Sequence, residues 1–196
     1  MNHANKEPCE LAEIVFEKPL AGAFEEVSFG SDKGNTLWIK FSDKDGCGEW
    51  IGRFGVGSRG PERVVKIAEP DRFFISAGGF AYVFDATRRE IVFQYGDEFL
   101  QDIIYDTERS LIITAHYTRL CWVNHEGKTL EERHIAVDGI RDLKIAGRVL
   151  TGLAYRDYGS EKEERFWLDL DELKILRWEK MPSNDRGLKK PWWKFW

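Results

Sequence analysis

Three segments of the chain repeat one short pattern, and this repetition restricts the fold more than any other feature. Residues 82–85, 121–124 and 166–169 read YVFD, CWVN and FWLD, three apolar or aromatic residues followed by Asp or Asn. A turn sequence follows each segment, and the Asp or Asn positions lie about 40 residues apart, a period typical of stacked repeats. The pattern therefore predicts similar units placed side by side.

Short apolar runs separated by turn residues surround each of these segments, which is typical of an all-β domain. Three units of four antiparallel strands are predicted. The first unit has strands at residues 64–67, 73–77, 80–85 and 90–95, and the second at residues 102–105, 111–115, 119–124 and 130–135. The third has strands at residues 142–145, 149–154, 165–169 and 173–178. A weaker unit precedes them, with strands at residues 25–29, 36–41 and 49–54 and a fourth strand that the sequence leaves unclear. The high aromatic content, 13 Phe, 8 Trp and 6 Tyr, favours sheet over helix.

The strand-turn-strand pattern of residues 82–93 and 120–131 resembles a blade of a β-propeller, without the Trp-Asp signature of the WD type. Ile75-Ser76-x-Gly78-Gly79 and Asp138-Gly139 are also similar to segments of an uncharacterised group of bacterial proteins. The resemblance covers roughly residues 25–178 and implies architecture alone: a propeller-like all-β fold of about four blades, open or closed. A two-sheet β-sandwich, an open arc and half of a ring completed by a second copy are the alternatives, because four blades is the minimum for closure.

The organisation expected along the chain is one β-rich domain over residues 1–181, then a linker and a Trp- and Lys-rich tail over residues 182–196. A chain of 196 residues buries enough surface, about 70%, to form a core without metals or disulfides. The N-terminus lacks the basic and apolar regions of a secretory signal, and no apolar run is long enough to span a bilayer. Reduced cysteines and a cytoplasmic location are therefore expected.

No motif predicts a catalytic, cofactor or metal site. Asp85, Asn124 and Asp169 are interpreted as caps of tight turns rather than as ligands of a cation or contacts to a basic partner, because Asp and Asn accept hydrogen bonds from amides two residues on. Residues 43–49 are too short for a calcium loop and predict a hairpin. The glycine-rich stretch 52–60 lacks the Lys-Ser or Lys-Thr of a phosphate loop and predicts a connection between units.

The C-terminal tail is the most unusual segment for binding. Its candidate partner-binding residues are Lys189, Lys190, Trp192, Trp193, Phe195 and Trp196. Exposed, they would form an apolar patch with a cationic fringe, suited to a membrane surface or a protein. Folded back, they would cover a sheet edge or an end of the stack.

The net charge of −5 disfavours nucleic acid as a partner. The leading hypothesis is a non-enzymatic domain that binds another protein, of the immunity type that neutralises its partner in a bacterial cytoplasm. One alternative is a hydrolase or lyase whose site, drawn from Asp43, Asp85, His116, His125 and Asp169, assembles on one rim of the repeats. The other is a membrane- or partner-anchored scaffold that uses the Trp-rich tail. The oligomeric state is left open.

Overall fold

Every regular element of the described chain is a β-strand. The computed structural model describes residues 9–29, 35–43, 48–57, 60–67, 71–95, 100–158 and 162–181. Sheet 1 consists of β1 (Cys9–Val15), β2 (Glu25–Phe29), β3 (Thr36–Asp43) and β4 (Trp50–Gly55), and sheet 2 of β5 (Glu62–Ile67), β6 (Arg72–Ala77), β7 (Phe80–Asp85) and β8 (Glu90–Tyr95). Sheet 3 consists of β9 (Asp102–Asp106), β10 (Leu111–Ala115), β11 (Arg119–Val123) and β12 (Thr129–His134), and sheet 4 of β13 (Asp138–Ala146), β14 (Val149–Tyr155), β15 (Glu164–Asp169) and β16 (Lys174–Lys180). No helix in these ranges is long and apolar enough to cross a membrane.

Sheets 2, 3 and 4 are antiparallel meanders in which each strand pairs with the next along the chain. Sheet 1 has the order β1-β3-β4-β2, and its edge strand β2 runs parallel to β4. The expected antiparallel units are therefore present, with one parallel pair in the first. The strand that the sequence left unclear is β1, where Ala12 and Ile14 pack against the core between sheets 1 and 2.

Three apolar cores join the four sheets in series. The core between sheets 1 and 2 is aromatic and centres on Phe84, whose ring lies 4.7 Å from that of Phe29 and 5.1 Å from that of Phe54. Sheets 2 and 3 share a core that includes Phe74 and Ile112, and sheets 3 and 4 share one that includes Trp122 and Phe166. Because successive side chains of a strand point to opposite faces, one strand can contribute to two of these cores.

The first strands of the sheets, which we call the inner strands, meet along one axis: β1 contacts β5, β5 contacts β9, and β9 contacts β13. No core cluster of the described residues joins sheet 4 to sheet 1. Within the described residues the architecture is thus a propeller-like arc of four sheets whose first and last sheets share no apolar core. A two-sheet sandwich does not describe it, because each sheet packs on the next rather than all strands dividing between two layers.

The interpretation of Asp85, Asn124 and Asp169 as turn caps is confirmed. Asp85 Oδ1 accepts a hydrogen bond from the Arg88 amide at 2.9 Å, and Asn124 Oδ1 accepts from two amides, one of them that of Glu126 at 3.0 Å. Asp169 Oδ1 accepts from the amides of residues 171 and 172. Each of these side chains begins the turn between the third and fourth strands of its sheet.

The two loop predictions near sheet 1 agree with the strand pairing. β3 and β4 form an antiparallel hairpin, although residues 44–47 of its turn lie outside the described residues. Residues 52–55 of the glycine-rich stretch belong to β4, and the residues after them connect β4 to β5, where the Gly57 amide donates to the Ala77 carbonyl at 3.0 Å. A Cβ added to Gly57 would lie 2.5 Å from the Gly78 carbonyl oxygen, so close backbone packing accounts for glycine at this position.

Candidate binding face and cavity on the fourth sheet

The side of sheet 4 that points away from sheet 3 is covered by no other sheet of the described chain. We call this side the end face and define it by the outward-pointing residues Lys144, Thr151, Leu153, Arg165, Trp167 and Arg177. The register supports the definition: Lys144 pairs with Thr151, and Thr151 pairs with Trp167. The opposite side of the same strands packs into the core shared with sheet 3.

Positions that are apolar and buried in sheets 2 and 3 are polar or amphipathic on the end face. Aligned by the turn-capping Asp or Asn and by the strand register, the residues facing the next sheet are Phe74, Ala81 and Val83 in sheet 2, Ile113, Leu120 and Trp122 in sheet 3, and Thr151, Arg165 and Trp167 in sheet 4. The repeat therefore keeps its strands and turns in sheet 4 but changes its outward side chains. A terminal repeat needs such a polar outer side to remain soluble.

The centre of the end face is a stacked pair. The Arg177 guanidinium carbon lies 3.9 Å from the centre of the Trp167 ring, and the Trp167 side chain is half-buried while Arg177 is exposed. The two residues are cross-strand partners of β15 and β16. A guanidinium over an indole is a favourable cation–π contact that holds both side chains in one geometry.

The end face carries cations that have no ion-pair partner among the described residues. Lys144, Arg165 and Arg177 are exposed and form no salt bridge there. The opposite end of the arc differs, because on sheet 1 the Lys40 ammonium lies 2.9 Å from Glu13 and 3.2 Å from Glu49. The hydrogen bonds to Glu13 and Glu49 raise the pKa of Lys40.

A cavity of about 450 Å³ lies where the end face meets the inner strands. It is lined by Arg63, Asp102, Asp142, Leu143, Lys144, Thr151, Gly152, Leu153 and Arg165. The buried carboxylate of Asp102 is held by two neighbouring sheets. One oxygen pairs with Arg63 of β5, and the other accepts a hydrogen bond from the Leu143 amide of β13 at 2.9 Å. One carboxylate of β9 therefore connects three sheets at the wall of the cavity.

Three of the residues suggested for an enzyme site, Asp85, His116 and Asp169, have side chains that form contacts within their own sheets. The carboxylates of Asp85 and Asp169 cap their own turns in sheets 2 and 4. His116 is buried beside Thr114 of sheet 3, with 3.2 Å between Nε2 and the hydroxyl oxygen, and the His125 carbonyl accepts from Arg72. The side chain of Asp43 lies outside what the structure describes.

No group of three or more His, Cys, Asp or Glu side chains placed to hold a metal ion occurs in the described ranges. Ser76 is buried and donates to the Pro61 carbonyl at 2.6 Å. The tail residues Lys189, Lys190, Trp192, Trp193, Phe195 and Trp196 all lie outside the described residues, so their role in binding stays a prediction.

Sequence reasoning did not identify the end face or the cavity, because it followed the recurring Asp and Asn positions. These lie at the opposite end of the strands: Asp85 pairs with Arg72, whereas Arg63, at the cavity, pairs with Ser76 near the other end of β6. A signal was present in the repeat itself. The third unit has Thr151 and Arg165 where the other two units have large or apolar residues.

The comparisons with known proteins concern the fold. The sequence matches no protein-family model, and no curated protein is significantly similar to it. Among solved structures, hydrazine synthase from Kuenenia stuttgartiensis is similar with a TM-score of 0.57 and 14% identity over 85% of this chain and 51% of that chain. Apo AztD from Citrobacter koseri is similar with a TM-score of 0.52 and 12% identity over 86% of this chain and 50% of that chain.

A third similar structure is the extracellular domain of the putative hybrid two component system BT4673 from B. thetaiotaomicron, with a TM-score of 0.53 and 10% identity over 80% of this chain and 24% of that chain. The chain spans about half the length of the first two structures and about a quarter of the third. Identities this low show the fold alone. The architecture of this chain is that of a β-propeller-like repeat protein.

Proposed function

We propose that this chain is a non-enzymatic binding module that recognises an acidic surface of another protein through its end face. The observation that carries the proposal is the Trp167–Arg177 stack, which lies on the side of a sheet that the corresponding strands elsewhere in the chain bury. Trp and Arg are the residues most enriched at the energetic centres of protein interfaces. A stacked pair has already lost side-chain freedom, which lowers the entropic cost of binding.

Charge supports an acidic partner. Lys144, Arg165 and Arg177 form no salt bridge in the described ranges, and they outnumber Glu179, which lies on the same side as the cross-strand partner of Arg165. This part of the face therefore has an excess of positive charge, although the chain has a net charge of −5. Complementary charge speeds association and excludes partners of the wrong sign. The role as an immunity-type protein of a bacterial cytoplasm stays a separate prediction, because it rests on the overall acidity of the chain, which suits a basic partner rather than an acidic one.

Affinity capture with matched variants tests the proposal. The full chain, Trp167→Ala and Trp38→Ala are immobilised, proteins captured from cells of the native host are identified by mass spectrometry, and the affinity of the purified partner is measured by calorimetry. Trp38 is a suitable control because it lies under Arg53 on sheet 1, 5.0 Å from the guanidinium carbon. The expected result is an acidic partner retained by wild type and by Trp38→Ala, and bound at least about 30-fold more weakly by Trp167→Ala.

Two results would contradict the proposal. One is a partner that binds wild type and Trp167→Ala equally. The other is a partner whose affinity does not fall as salt rises, because contacts to unpaired surface cations are screened by salt.

A further inference from the structure

The cavity beside the end face has the features of a small-molecule site that is distinct from the Trp167–Arg177 stack. Its volume of about 450 Å³ lies within the usual range of ligand pockets, about 300–1,000 Å³. Three sheets contribute to its wall: Arg63 comes from sheet 2, Asp102 from sheet 3 and Arg165 from sheet 4. A site built by three sheets at the inner strands is more rigid than one built on a loop.

The charges of the cavity do not cancel. Both acidic residues of the wall are already used: Asp102 by Arg63 and by the amides of Ile103 and Leu143, and Asp142 by Arg141 at 2.6 Å. Lys144 and Arg165 are left without a carboxylate partner among the described residues. With three cations, Arg63, Lys144 and Arg165, and two carboxylates, Asp102 and Asp142, the wall carries a formal charge of one positive.

Polar and apolar groups divide the wall in a way that suits an organic anion. Leu143 and Leu153 are 8% and 9% exposed and supply apolar surface, while the Thr151 hydroxyl can accept a hydrogen bond in addition to the one it donates to the Lys144 carbonyl at 3.4 Å. Lys144 and Arg165 line one cavity together with the two buried leucines, an arrangement that solubility alone does not require. Arginine and lysine bind carboxylates and phosphates through charge-assisted hydrogen bonds.

We propose that this cavity binds a small organic anion, with a carboxylate or phosphate group held by Lys144 and Arg165 and the carbon body against Leu143 and Leu153. Arg63, fixed by Asp102, completes the cationic wall. This inference goes beyond the proposed function, since its ligand is a small molecule and none of its contacts is to Trp167 or Arg177, although the two sites share Lys144 and Arg165.

Titration of the full chain followed by two-dimensional amide NMR tests the inference. The probes are succinate, glycerol 3-phosphate and inorganic phosphate, with glycerol and sodium chloride at matched ionic strength as controls. The expected result is saturable shifts of the Lys144, Thr151 and Arg165 amides by at least one oxyanion, with a dissociation constant at or below about 1 mM. The response to succinate against that to glycerol 3-phosphate separates a carboxylate from a phosphate ligand.

Three variants make the outcome specific. Lys144→Gln and Arg165→Gln are both exposed changes and should weaken binding at least about tenfold without unfolding the chain, which circular dichroism checks. Arg177→Gln removes an equally exposed cation of the same face that does not line the cavity, and should bind as wild type does. The inference is overturned if no oxyanion gives saturable shifts, or if Arg165→Gln and Arg177→Gln titrate alike. Neither result bears on partner capture through Trp167.

Discussion

Individual Asp and Asn residues hold the turns that set the repeat, and Asp169 shows how charge contributes. The amides of Glu172 and Asp171, and more weakly the Arg148 guanidinium at 3.2 Å, hold the pKa of the Asp169 carboxyl below its ordinary value. Asn124 occupies the same place in sheet 3 with a neutral oxygen. The turn therefore requires an acceptor at this position and gains further stability from an ionised one.

Replacing Asp169 by Asn separates these two contributions. Because the pKa of Asp169 is lower in the folded than in the unfolded chain, its charge stabilises the fold above the unfolded pKa, about 4, and this stabilisation is lost as pH falls through the folded pKa. We expect Asp169→Asn to be less stable than wild type at neutral pH and equally stable in strong acid. Urea unfolding across this pH range measures the difference.

The reciprocal change provides the control. Asn124→Asp places a carboxylate before equivalent amides of sheet 3 and should gain stability at neutral pH relative to acid. A destabilisation by Asp169→Asn that did not change with pH would show that the charge plays no part.

At the scale of the strands, one buried carboxylate fixes how three sheets meet at the axis. Asp102 begins β9, pairs with Arg63 of β5 and accepts from the Leu143 amide of β13, and its side chain is 4% exposed. β13 is irregular near this contact, with Asp142 at a φ of 56° and register shifts on both sides of Arg141. The hydrogen bond to Leu143 thus holds a strand segment that regular ladder pairing does not.

Removal of this carboxylate should be costly. We expect Asp102→Ala to lower the free energy of unfolding by about 2–3 kcal/mol, because a buried amide and a half-exposed guanidinium lose their partner together. Asp157→Ala, an exposed change in the loop after β14, should cost no more than about 0.5 kcal/mol. Urea unfolding of both variants measures the effect, and equal stabilities would show that Asp102 does not connect the sheets energetically.

The sequence predicted the strands of sheets 2, 3 and 4 well, because alternating apolar residues and Asp- or Gly-containing turns are local signals. Strand β1 was missed for two reasons. Only Ala12 and Ile14 of this short strand face a core, so its apolar pattern is weak. Its partner in the sheet is β3, and β2 comes between the two along the chain. The end face was missed for a second reason, besides the weight given to the recurring Asp and Asn positions. Which side of sheet 4 lacks a neighbour depends on whether the arc closes, and closure is a property of the assembled sheets rather than of any segment.

At the scale of the whole molecule, three separate cores join the sheets in series. A substitution in one core is therefore expected to destabilise the two sheets that share it and to leave the other sheets largely unaffected. Phe84 lies among four aromatic rings of sheet 1, those of Phe29, Phe41, Trp50 and Phe54. In a repeat array the stability is a sum of terms for each unit and for each neighbouring pair. Loss of Phe84 therefore weakens one junction and leaves the others intact.

Hydrogen exchange tests this expectation. Phe84→Ala should cost about 3–5 kcal/mol at its junction and reduce the protection of the amides of β3 and β4, with little change in β14 and β15. Phe166→Ala, in the core between sheets 3 and 4, is the matched control and should show the reverse distribution. Equal loss of protection in all four sheets by either variant would mean that the molecule unfolds as a single unit.

The lack of a shared core between sheets 4 and 1 in the described ranges has a mechanical consequence. In a closed ring, any rotation of one blade must be compensated by the others, so the circumference resists bending. Without that constraint, small rotations at the three junctions would add together toward the ends. The width of the cavity, which is lined by residues of sheets 2, 3 and 4, would change with them. A ligand bound in the cavity would favour the angles between sheets 2, 3 and 4 at which the cavity fits it, and would thereby restrict the curvature of the arc.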